Sequence, residues 1–334
     1  MLHNRWVGLG IAFHFVLLGL TNVRAETNPD VVKETRRAWI QRRDSMKSFS
    51  YVCAVEETKK GSHGLADAHG EPNDSLMPKT PISDEVVRMS TTFSFEKGKL
   101  AYRLEGEQWS EITQAKAPYL YRAAFDGSEN VTLLHAPIPM GSINHHREPD
   151  SGLTAGVHQI AFWLTFDPTA FLQRQGYDCD KMRVVTPGGL VYEGRKCFEV
   201  ELPRSNHRWL GRIFVDPSRG YLPVRFIQEF DGAVRSDISI GYAKEEKLGW
   251  VASTWEQTRY DSPGVASNRS IGSVLKTEFN TKLTQAIFDV QFPVGAQVVE
   301  ETDMGNRYFI KDPDGSLRPI KEDEYGAIPS RHAL

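Results

Sequence analysis

The sequence predicts an α+β protein dominated by an antiparallel sheet, with a few helices set against it. Three observations carry this expectation. In 191–242, Phe198, Val200 and Leu202 alternate with Cys197, Glu199 and Glu201. Val224, Phe226 and Phe230 alternate with Arg225, Ile227 and Glu229, and Ile238, Ile240 and Tyr242 repeat the pattern. Period-two alternation marks strands with one packed and one wetter face. Asp216-Pro217 and Asp231-Gly232 break the run where tight turns belong. Helical spacing is confined to the start of the mature chain and to one segment near 157–176.

Taken in order, residues 1–25 read as a signal peptide. Arg5 gives a weakly cationic start, 6–20 an apolar run, and Val23-Arg24-Ala25 a small-residue cleavage site. The run is short for a membrane span, which needs about 20 apolar residues. The expected location is therefore periplasmic or secreted, with only transient membrane contact. Asn28-Pro29-Asp30 opens a helix reaching about Lys47, with Val31, Thr35, Ala38, Trp39 and Met46 near helical spacing. Lys33, Arg36, Arg37, Arg42 and Arg43 fill the remaining positions and read as a solvated face.

A first strand follows over 49–57, and 59–82 reads as a loop insertion rich in Gly, His, Asp, Asn and Pro. Strands resume over 86–95 and 99–105, with another pair about Asp126-Gly127. Residues 137–154 read as a second irregular loop. Ile160, Phe162, Trp163, Leu164 and Phe166 then form an apolar segment, read as a helix laid across the sheet or an exposed binding surface. Asp167-Pro168 caps a further short helix that stops at Gly176. Strand-like segments continue over 249–260, 273–283 and 287–299, the last through Phe288, Val290 and Phe292. The tail 304–334 reads as a hairpin turning at Asp312-Pro313-Asp314-Gly315, then a polar end.

Composition is ordinary, at 40% hydrophobic and 25% charged with net charge -3. No clustered basic face suggests nucleic-acid binding. The chain has three cysteines. Cys53 shares the alternating face of Phe49, Tyr51 and Val55 and reads as a core thiol. Cys179 and Cys197 form a candidate disulfide if the chain turns at Gly188, but lie apart if it turns at Glu193-Gly194.

Three turn and strand motifs stand out: Glu193-Gly194-Arg195-Lys196-Cys197-Phe198, Ile213-Phe214-Val215-Asp216-Pro217, and Gly220-Tyr221-Leu222-Pro223-Val224-Arg225. With Asp231-Gly232 and the closing Phe288 to Gly295 stretch, they resemble the LolA/LolB-like superfamily of periplasmic lipoprotein carriers, which includes RseB-like sensors. The resemblance covers roughly 29–303, is strongest in 190–300, and sets the expected LolA-like domain at 26–303. It implies a strongly curved antiparallel half-barrel wrapped over helices, with an apolar cavity for an acyl chain, a lipidated protein or a peptide.

Chemistry is poorly supported by the sequence. There is no Gly-x-Ser-x-Gly elbow and no cysteine signature with a partnered histidine. His145 and His146 sit in a loop without the helical spacing of a zinc motif. The expectation is a non-enzymatic binding protein with no cofactor and no metal, whose partner is a lipid or lipidated protein. Phe198, Val200, Val224, Phe226, Ile238 and Ile240 are its candidate ligand-binding residues, with filled core as the competing account of that stripe. The alternatives are an envelope sensor or scaffold binding a protein, and an extracytoplasmic hydrolase using the His145/His146 loop.

Overall fold

Among the described residues, strands make up 58% and form one large, curved, open, mostly antiparallel sheet that does not close into a barrel. The computed structural model describes residues 29–61, 84–96, 98–110, 115–135, 138–146, 148–150, 153, 157–206, 208–246 and 248–326. The signal-peptide segment, most of the 59–82 insertion and the last residues of the tail lie outside them.

Helix α1 (Pro29–Ser45) leads into β1 (Ser48–Lys59), β2 (Glu85–Glu96), β3 (Lys99–Ser110), β4 (Ala115–Phe125), β5 (Asn130–His135) and β6 (Pro139–Asn144). Two short helices follow, α2 (Ile160–Phe166) and α3 (Pro168–Arg174). The second meander runs through β7 (Arg183–Val184), β8 (Leu190–Tyr192), β9 (Arg195–Pro203), β10 (Trp209–Asp216), β11 (Leu222–Phe230), β12 (Ala233–Glu245), β13 (Gly249–Ser262) and β14 (Val265–Phe279). The chain ends in β15 (Gln297–Thr302), β16 (Gly305–Lys311) and β17 (Leu317–Ile320).

The two meanders meet where β1 pairs with β14, from Phe49 opposite Phe279 to Lys59 opposite Asn268. This seam makes one sheet of both halves. Register places Val200 opposite Ile213, Ile213 opposite Phe226, and Phe226 opposite Ile238. A single apolar row therefore crosses β9 to β12 on one face, as strand pleating requires. The turn between β11 and β12 uses Asp231 at φ 50° and Gly232 at φ 77°. Both central residues at positive φ are what a two-residue hairpin of matching twist needs.

Two expected elements differ. Residues 137–154 are not simply irregular: Pro139–Asn144 is strand β6, antiparallel to β5 and parallel to β15. Phe288, Val290 and Phe292, expected in a strand, lie instead in a strap between β14 and β15. Leu283, Phe288 and Val290 of that strap cluster with Ala101, Ala124 and Leu133. Ala101 alternates with Leu100 and Tyr102, and Ala124 with Ala123 and Phe125, all four of the main core. The strap therefore crosses the sheet face turned away from the helices. It then brings β15 beside β6, with the Phe292 ring over Gly141, where a Cβ would lie 2.3 Å from Phe292 Cε1.

Candidate functional site

The predicted stripe faces the helices. Val200, Val224, Phe226, Ile238 and Ile240 are buried in the main core, and Phe198 is partly buried against it. The helix-facing side of the sheet is thus occupied by protein side chains. Phe226 meets Phe171 of α3 edge-on, ring centroids 6.4 Å apart, and Tyr177 at 5.8 Å.

The principal filler is α2. All seven of its residues, Ile160 to Phe166, are buried. Phe162 stacks on Tyr51 at 4.4 Å, Trp163 lies 5.4 Å from Phe93, and Phe166 lies 4.6 Å from Phe49. A helix this short has little intrinsic stability, so its conformation depends on packing. Asp167 begins α3 by accepting a hydrogen bond from the Ala170 amide at 3.0 Å, the cap expected from the sequence. Together α2 and α3 form a plug over the apolar sheet.

Helix α1 holds the plug in place through two cations that the sequence pattern assigned to a solvated face. Lys33, Arg37 and Arg43 are exposed, but Arg36 and Arg42 turn inward. Arg36 donates to the Cys179 carbonyl and pairs with Asp180 at 3.3 Å. Arg42 Nε donates to the Thr165 carbonyl, and its Nη2 to the Trp250 carbonyl, each at 2.6 Å. One guanidinium thereby joins α1, the C-terminal turn of α2 and β13. That turn carries unsatisfied carbonyls and the negative end of the helix dipole, both of which favour a cation. No carboxylate pairs with Arg42 among the described residues. Desolvation lowers its pKa, opposed by Tyr51 and Tyr242.

Polar groups around the plug are only partly satisfied. Tyr242 Oη donates to the Pro223 carbonyl at 2.7 Å, and Thr165 Oγ1 to Ala161 at 2.7 Å. Tyr51 Oη, Trp163 Nε1 and Trp255 Nε1 are buried without a protein hydrogen-bond partner among the described residues. Each leaves desolvation uncompensated, which weakens the packed state. Where the plug begins, His158 Nε2 lies 3.5 Å from Glu57, and Glu57 Oε1 accepts from Asn268 at 2.6 Å. Burial pushes the His158 pKa down to about 4, against the opposing pull of Glu57.

The candidate disulfide is not formed: Cys53, Cys179 and Cys197 are all free and buried. The chain turns at Glu193-Gly194, both at positive φ, so Cys197 faces Leu190 across the β8–β9 hairpin instead of Cys179. Burial raises the thiols' pKa values, to about 12 for Cys53 and about 11 for the other two. His145 sits between Glu300 at 2.9 Å and Glu129 at 3.5 Å, and both it and His146 are exposed. No group of three metal-ligating side chains occurs among the described residues. No helix among them is long and apolar enough to cross a membrane.

No protein-family model matches the chain, and no curated protein matches it. Solved structures similar to it include a DUF1329 family protein from Desulfovibrio piger, at 12% identity and TM-score 0.44 over 78% of this chain and 96% of that one. A LolA superfamily protein from Nitrosomonas europaea shows 10% identity and TM-score 0.41 over 79% of this chain and 98% of that one. MucB, solved in complex with MucA, shows 12% identity and TM-score 0.21 over 76% and 99% of the two chains. The superfamily that the turn motifs resemble is thus among the structural neighbours. The likeness is one of overall arrangement and says nothing of ligand or activity.

Proposed function

We propose that this chain is an exported, non-enzymatic binding protein that holds an acyl chain, of a lipid or a lipidated protein, against its helix-facing sheet. The ligand takes the place of the α2 side chains. The observation that carries the reading is the plug itself: seven buried residues, latched through Arg42 to main-chain carbonyls. Replacing Phe162, Trp163, Leu164 and Phe166 by methylenes exchanges one apolar filling for another. Each buried CH₂ contributes about 0.8 kcal/mol, so a long chain offsets the loss of the plug contacts. On this reading Val200, Phe226, Ile238 and Ile240 are covered in the closed state and line the ligand in the open one.

Native mass spectrometry of the protein purified from its own envelope tests this. Co-purifying lipid or acylated protein supports the reading. A retained non-acylated protein partner with no lipid sinks it in favour of a sensor or scaffold.

A further inference from the structure

On the sheet face turned away from the helices, the strap and strands β2 to β4 enclose a half-open cavity of about 250 Å³. Its floor is a cross-strand row in which Thr92 stands opposite Arg103, and Arg103 opposite Arg122. Thr284, Ile287 and Val290 of the strap form the opposite wall, and no carboxylate lines the space. Like charges directly opposite on neighbouring strands destabilise a sheet. Arg103 offsets part of this through an exposed pair with Glu105. Arg122 has no carboxylate partner among the described residues. Two arginines opposite each other on neighbouring strands, in a cavity lined by no acid, form a field complementary to an anion.

We infer that this cavity binds a small organic anion, a phosphate or carboxylate bearing a short apolar group. Arg103 and Arg122 take the charge, Thr92 and Thr284 supply hydroxyl donors, and Ile287 and Val290 meet the apolar part. The volume lies below the roughly 300 Å³ at which clefts for larger ligands begin, so a full acyl chain does not fit. This site lies across the sheet from the plug and is independent of the function proposed above.

Calorimetric titration with phenyl phosphate and with inorganic phosphate at low salt provides the test, joined by co-sedimentation with phosphatidylglycerol and phosphatidylcholine vesicles. The wild type is expected to bind phenyl phosphate at one site, more tightly than inorganic phosphate. Arg122→Gln is expected to weaken binding about tenfold or more, as loss of a charge-assisted contact does. The unliganded Arg122→Gln protein is expected to melt at or above the wild-type temperature, because the repulsion is relieved; Arg103→Gln repeats the reading should the first variant not fold. Binding to phosphatidylglycerol but not phosphatidylcholine vesicles, lost in Arg122→Gln, identifies the anion as a lipid headgroup. Phenyl phosphate binding without vesicle binding identifies a free anion. Failure of the wild type to bind either probe, or undiminished binding in both variants, overturns the inference.

Discussion

Arg42 Nε donates to the main-chain carbonyl of Thr165 at 2.6 Å, across 123 residues of sequence. The bond ties the amphipathic helix α1 to the end of an otherwise apolar helix whose own residues offer no cation. The second Arg42 bond, to the Trp250 carbonyl, adds the sheet to the same junction. A guanidinium placed between two carbonyls fastens the plug without filling any of the space beneath it.

Removing that fastening should loosen the plug without emptying the core. Arg42→Ala is expected to lower unfolding stability by about 2–3 kcal/mol, the scale of hydrogen bonds from a charged donor. Affinity for a fluorescent long-chain fatty acid should rise about tenfold, as a shift of roughly 1.4 kcal/mol toward the open state requires. Urea denaturation and a fluorescence titration read the two effects. Lower stability with unchanged affinity would make Arg42 a structural tie only.

Phe226 and Phe198 separate the packed stripe from its rim. Phe226 is fully buried between α3 and the sheet, whereas Phe198 is only partly covered. Phe226→Ala should cost about 3–5 kcal/mol in the unliganded protein, and Phe198→Ala clearly less. Equal costs would contradict the placement of Phe226 beneath the plug.

His158 gives the protein a pH dependence of definite sign. Its folded-state pKa is lowered from 6.5 to about 4, with burial as the main cause; Glu57 opposes the shift, and Arg259 and Lys59 reinforce it. The unfolded chain therefore takes up this proton first as pH falls. The associated stability is present above pH 6.5 and is lost progressively between about 6.5 and 4. Denaturation midpoints measured across that window should fall, and His158→Gln should flatten the slope. An unchanged slope in the variant would remove His158 from the account.

Gly272 and Trp255 pair across β13 and β14, and the indole covers the glycine. A Cβ at Gly272 would lie 2.1 Å from Trp255 Nε1, so Gly272→Ala must displace the ring. A cost of about 1–3 kcal/mol, typical of overpacking, is expected together with altered tryptophan emission.

The thiols are checked by alkylation. Denatured protein should take up iodoacetamide at all three cysteines without reductant. Addition of only one label before reduction would show that two of them are bonded.

What the sequence made legible was local. Phe226 and Ile238 face each other because Asp231-Gly232 forces a tight hairpin between two alternating segments, and all of that lies within one hairpin. Asp167 could be read as a cap for the same reason. Strand β6 could not, because Pro139 to Asn144 lacks apolar alternation, and its place depends on Phe292 covering Gly141 from the far end of the chain. Phe288 and Val290 alternate like a strand, yet they cross the face of an existing sheet instead of joining it. The inward turn of Arg42 was hidden for a related reason. Five cations spread around α1 look alike until the carbonyls of Thr165 and Trp250 are in position.

Hydrogen–deuterium exchange of α2, measured with and without a saturating long-chain fatty acid, tests the plug most directly. The account predicts that amides of Ile160–Phe166 exchange faster when the acyl chain is bound, while the β1–β14 seam stays protected. Saturable fatty-acid binding with α2 as protected as in the free protein would contradict it.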